Sequence, residues 1–319
     1  MNPVLRRELL RRWRRPRASL VLVLFLLALS LVTWGLHEIG RRVLEGQAQW
    51  IGADAAFLRP QLGRFMVESV LATLLGLVLV AAPGFAAGQI AGERERGSLP
   101  LLQATLMTPS QIVLGKLWAS TAWVGLLVVA ALPLVTVSTV FGGVELLDVV
   151  LGLAVVLVMG LCVGAMALGV SSIAKRTTSA VVITYALVLL LILGTGFMAI
   201  LVGLVQESPE GAIVPLYANP FTALAGAVNT GEVGGILSLP SPLTPFAYLL
   251  RAGNFENVGF GGDFDRTWHW LRGVGLLVAF AVLAFFVAVR RVRLTRPTVA
   301  APIGRFREPA PAAAGPTDG

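Results

Sequence analysis

The sequence predicts an all-α integral membrane protein with six transmembrane helices. Three observations carry that expectation. Hydrophobic residues make up 56% of the 319 positions and charged residues only 13%, against about 25% charged in a soluble domain. Apolar runs of spanning length, about 20 residues, recur along most of the chain. Basic residues gather beside those runs: seven arginines precede residue 18 and six lie from Arg290 onward, where the positive-inside bias puts them.

Residues 1–17 read as an N-terminal interfacial amphipathic helix. Asn2 can cap it and Pro3 suits its first position. Leu5, Leu9 and Trp13 fall four apart on one face, with Arg7, Arg11 and Arg14 or Arg15 displaced around it. A helix of this kind lies in the headgroup plane, and Pro16 ends it. Arg6-Arg7, the apolar run from Leu20 and Ala28-Leu29-Ser30 share features with a signal peptide. The run continues to Leu36 and further spans follow, so it reads as a span.

Residues 18–290 form the six-span domain, with spans at about 18–36, 65–91, 108–141, 148–172, 179–205 and 269–290. Trp34 sits near an interface at the end of span one, and a polar outer loop follows to about residue 64. Ala82-Pro83-Gly84 predicts a kink near the inner end of span two. Thr108-Pro109 supplies a cap and a first residue for span three, Pro133 a second kink, and Gly142-Gly143 the turn into span four. Ala174 to Thr178 make a short polar inner turn. The long extracytoplasmic loop between spans five and six, about 206–268, holds another short helix beginning at Asn219-Pro220. Residues 291–319 are a basic, then Pro/Ala/Gly-rich tail of disordered composition.

The inner segments of this arrangement hold 18 of the 25 basic residues, which places both termini in the cytoplasm. Two cytoplasmic ends require an even number of spans, in agreement with six. Because the positive charge flanks spans, it serves topology or anionic lipid, and no nucleic-acid partner is expected.

Several chemistries are excluded. Cys162 is the sole cysteine, so no intrachain disulfide forms, and it reads as a small buried hydrophobe. The two histidines, His37 and His269, are far apart, and no cluster has metal-ligand spacing. Gly115-Lys116 is followed by Leu117, with Ser110 where a phosphate loop needs glycine. The chain therefore carries no ATPase motif, and is expected to bind no cofactor itself. Ser171-Ser172 have no histidine on their side for nucleophilic catalysis. The spans lack mid-membrane carboxylates or lysines of the kind that ion-coupled carriers use; Glu68 and Asp148 fall at outer edges and read as solvated caps. Energy for any transport has to enter from outside the chain.

Residues 93–116, between spans two and three, offer the place. Glu93, Arg94, Glu95 and Arg96 cannot sit in lipid, at roughly 2.5–3.5 kcal/mol each at a helix centre. Leu99, Leu101, Leu102 and Leu106 have no core of their own in so short a loop. A charged collar followed by exposed leucines reads as a surface that another protein covers. Pressing the leucines into lipid is the alternative.

The stretch from Gln89 through Glu93-Arg94-Glu95-Arg96-Gly97-Ser98-Leu99-Pro100-Leu101-Leu102, with Thr108-Pro109 and Gly115-Lys116 behind it, resembles the ABC-2 type permeases. Gly97-Ser98 stands where that family has Gly-Thr, keeping the capping hydroxyl. Pro100 replaces a commonly acidic residue, at a helix position that tolerates it. Ser171 to Ala180 is a weaker second match.

The resemblance implies a half-transporter of the bacterial cytoplasmic membrane. It pairs with a second permease subunit, as homo- or heterodimer, above two separate ABC ATPase subunits that bind ATP-Mg. It implies a cytoplasmic coupling helix at Ser98 to Leu106. ATPase contacts would come from Glu93, Arg94, Glu95, Arg96, Gly97, Ser98, Leu99, Leu101, Leu102 and Thr105, with Lys175 and Arg176 as a lesser second contact. Glu93 to Arg96 would also tie the helix base to the interfacial N-terminal helix. An exporter is the expectation. The alternative is an ATPase-linked scaffold or accessory subunit, for example in metalloenzyme maturation, that moves no solute.

Overall fold

The computed structural model describes residues 16–52, 59–98, 108–140, 142–206, 214–228, 241–247 and 266–294. The interfacial helix at 1–15, the leucine-rich segment 99–107 and the tail from 295 lie outside these. The described residues form helices α1 (Pro16–Ile51), α2 (Arg59–Ala86), α3 (Ala91–Glu95), α4 (Pro109–Thr139), α5 (Leu146–Ile173) and α6 (Thr177–Leu189). A π-helical turn (Leu190–Gly194), α7 (Thr195–Gln206), α8 (Pro220–Ala227) and α9 (Arg266–Leu294) follow. No strand occurs among the described residues. Six helical stretches are long and apolar enough to cross a membrane: Ser19–Trp50, Pro60–Glu95, Pro109–Thr139, Leu146–Ile173, Thr177–Val205 and Trp270–Arg293.

α1 departs most from expectation. Its 36 residues extend roughly 54 Å at 1.5 Å per residue, well beyond a hydrocarbon core of about 30 Å. The region read as an outer loop after residue 36 is helical to Ile51. The cause is local. Glu38 pairs with Arg41 (3.0 Å) and Arg42 (2.7 Å), and Arg41 with Glu45 (2.6 Å), the spacings that stack charges on a helix face. Beside this charged face, Leu44 and Ala48 pack against Leu62, Phe65 and Met66 of α2.

α5 is the hub. It packs against α2, α4, α8 and α9, and small residues let the backbones approach, as membrane helices require. A Cβ added at Gly160 would lie 2.6 Å from Val124 Cγ1 and 2.9 Å from Val78 Cγ1. At Gly169 it would lie 3.0 Å from both Ala284 Cβ and Ala284 O. α4 begins as expected: Thr108 Oγ1 accepts from Gln111 N while Gln111 Oε1 accepts from Thr108 N, a reciprocal capping box with Pro109 at the first helical position. The turn into α5 uses Gly143 at φ +81°, and a Cβ there would come within 2.0 Å of Pro60 O.

The short helix expected at Asn219-Pro220 is α8, which is buried among α2, α5 and α9. Near it, Glu68 and Asp148 are not solvated caps. They are 5% and 8% exposed. Glu68 accepts from Arg64 Nε at 3.1 Å and from the Ser241 hydroxyl, because the 241–247 segment folds back over α2 and supplies the donor.

Introducing valine at Gly169 is expected to destabilise the protein by about 1–3 kcal/mol through overpacking. The same change at Gly125, where nothing lies within 4 Å of an added Cβ, should change little. Thermal unfolding of the two purified variants in one detergent checks this.

Candidate functional site: the charged collar at residues 89–98

The collar is built on α3, five residues long. Successive residues of a helix point about 100° apart, so three neighbouring side chains leave α3 in three directions. Each meets a different helix. Glu93 Oε1 accepts from Lys116 Nζ of α4 at 2.7 Å. Arg94 donates through Nη1 to Ala174 O and through Nη2 to Ser172 O, both at 2.8 Å. Glu95 accepts from Thr177 N at 3.0 Å and from the Thr177 hydroxyl.

These contacts follow the electrostatics of helix ends. α5 ends at Ile173 and presents unsatisfied carbonyls with partial negative charge, which the Arg94 guanidinium covers. α6 begins at Thr177 and presents unsatisfied N–H groups with partial positive charge, where the Glu95 carboxylate belongs. In return, Ser171 Oγ of α5 accepts from Ile90 N (3.1 Å) and Ala91 N (3.0 Å) at the start of α3. α3 itself ends in a Schellman motif: Ser98 N donates to Glu93 O (3.0 Å), Gly97 N donates to Arg94 O (3.1 Å), and Gly97 takes φ +66°. Gly92 keeps α6 close, since a Cβ there would lie 3.3 Å from Thr177 Oγ1 and 3.1 Å from Arg96 Nη2.

Lys116 is 1% exposed. An ammonium that deep costs several kcal/mol unless it is paired and hydrogen-bonded. Glu93 supplies the pair and Gln89 O a second acceptor at 3.4 Å. The pair joins residues on either side of the leucine-rich segment. The described residues flanking that segment, up to Ser98 and from Thr108, are therefore held to each other by this pair.

Of the residues assigned to partner contact, Glu93, Arg94 and Glu95 have side chains engaged with the chain's own helices, while Glu93 Oε2 and Arg94 Nε are buried without a partner among the described residues. Arg96 is exposed and donates to Gly92 O at 2.9 Å. Lys175 and Arg176 are exposed beside it, and Gly97 and Ser98 form the exit turn. Leu99, Leu101, Leu102 and Thr105 lie outside the described residues. Sequence reasoning named Lys116, Ser171, Ser172 and Thr177 within its motifs but did not assign their pairing with the collar. Lys116 carried a signal: a lysine eight residues beyond a helix cap, inside an apolar run, needs a counter-charge.

A family model described as ABC-2 family transporter protein matches residues 3–296. A search of curated proteins finds no match.

Removing one partner of a buried ion pair costs about 3–5 kcal/mol. Lys116→Met is therefore expected to lower the thermal unfolding midpoint sharply, and Lys116→Met with Glu93→Leu to recover much of the loss. Additive losses in this double-mutant cycle would show that the two side chains do not interact.

Proposed function

The chain belongs to the ABC-2 family of transporter proteins, and from that membership we propose that it is the membrane subunit of an ATP-driven exporter, moved by a separate ABC ATPase that docks on residues 93–116. At the coarser level it is a multi-pass membrane protein and a permease subunit of an ABC transporter, and the family works with an ABC ATPase subunit. The proposal adds the direction of transport, the docking site and the arrangement. The subunit sits in a bacterial cytoplasmic membrane with both termini and the collar on the cytoplasmic side. It pairs with a second permease subunit of the same or another sequence. It is not itself an enzyme, and ATP-Mg binds to the ATPase subunits.

The observation that carries this reading is the three-way fastening of α3. Glu93, Arg94 and Glu95 hold α4, α5 and α6 respectively. The leucine-rich segment begins one turn later. Burying a leucine is worth roughly 1.5–3 kcal/mol, so three leucines seated in an ATPase cleft would give a firm grip. A displacement of that segment would pass directly into three spans. Arg96, Lys175 and Arg176 supply exposed positive charge alongside.

The test is reconstitution of the chain with its ATPase in vesicles. Leu101→Glu is expected to leave the permease folded and inserted but to remove co-purifying ATPase. Glu95→Gln should keep the complex and lower ATP-driven flux several-fold relative to hydrolysis. Unchanged assembly in Leu101→Glu would overturn the docking site. Hydrolysis with no flux of any solute would favour a scaffold role.

A further inference from the structure

A second span-linking device lies midway along the fifth span. The stretch Thr177–Val205 is not one continuous α-helix, because Leu190–Gly194 form a π-helical turn. A π turn is rare, spaces its carbonyls wider than an α turn, and is found frequently at functional sites. In an apolar environment every backbone polar group it displaces needs a partner.

Part of that partnership comes from outside the span. Asn219 is fully buried, at 0% exposure. Its Nδ2 donates to Ile192 O at 3.0 Å and to Thr195 Oγ1 at 2.9 Å. Thr195 Oγ1 in turn donates to Leu191 O at 2.6 Å. Asn219 Oδ1 accepts from Phe221 N at 2.9 Å, capping α8. The orientation of the amide is fixed by chemistry, since Ile192 O can only accept and Phe221 N can only donate. One side chain thus completes the π turn with one end and starts α8 with the other.

We propose that Asn219 is a latch that binds two conformational states together: α8 seated among α2, α5 and α9, and the fifth span in its π register. If α8 lifts from its seat, the carboxamide leaves Ile192 O, and the span recovers its hydrogen bonds by closing the turn to α geometry. Loss of the extra residue turns α7 by about 100° relative to α6. Ala199, 1% exposed, would rotate off its packed face, and an adjacent exposed residue, Met198 (51%) or Ile200 (57%), would take its place. The movement of α8 is thereby converted into rotation of the outer half of a span. This inference does not rest on ATPase docking at the collar.

Hydrogen–deuterium exchange on the full chain in lipid nanodiscs tests it. Asn219→Ser keeps a capping oxygen for α8 but loses the amide donor. It is expected to speed exchange at 192–199 about tenfold, the effect of losing one such bond. Thr195→Val, which lies on the span and not on α8, is expected to speed exchange at 221–228 as well, because coupling between two sites is reciprocal. Effects confined to α8 in the first variant, or to the span in the second, would reduce Asn219 to a helix cap and overturn the latch. Should either variant fail to fold, the unsubstituted protein decides: as temperature rises, 192–199 and 221–228 must open together. Separate opening overturns the proposal.

Discussion

The structure depends on the need to neutralise broken helix ends and charges at one end of an apolar bundle. α3, α4, α5 and α6 begin or end there with orphan backbone groups, and Lys116 is buried among them. Water would solve this at a surface, but here the bundle solves it with its own residues. Glu93 neutralises the ammonium, Arg94 covers the end of α5, Glu95 covers the start of α6 and Ser171 caps α3. Arg94 and Glu95 have the charges that the helix dipoles call for. The collar is less a free surface than a knot.

The rest of the bundle connects that knot to distant parts of the fold. α5 starts beside the Glu68 cluster, passes Gly160 and Gly169 where neighbouring helices come into contact, and ends under Arg94. Close-packed small residues transmit displacement because they leave no slack to absorb it. α6 leaves the knot at Thr177 and meets the π turn, where Asn219 ties it to α8. A continuous chain of specific contacts therefore runs from Glu95 through α6 to the π turn and α8.

Much of this was legible in the sequence, and the limit has a physical form. Spans two to six fall close to the expected places because apolar runs and local punctuation mark them: Thr108-Pro109 caps α4, Gly142-Gly143 turns the chain, Asn219-Pro220 starts α8. The extension of α1 escaped because Glu38, Arg41, Arg42 and Glu45 read as loop polarity, although their spacing is helical. What sequence could not give were pairings at a distance. Arg94 meets residues some 80 positions away, and Glu68 meets Ser241 at a separation of 173. The charges at 93–96 advertised a need for partners. Only the fold identified those partners as α4, α5 and α6.

The collar and the 174–177 turn are expected to move as one body. Spin labels at Arg96 and Lys175, both exposed, in a Cys162→Ala background would report the distance between them by pulsed electron resonance. Measured in the complex with its ATPase, the distance distribution should stay the same with and without ATP turnover. A shift or a second population on ATP addition would show that the knot opens during the cycle and would contradict the account.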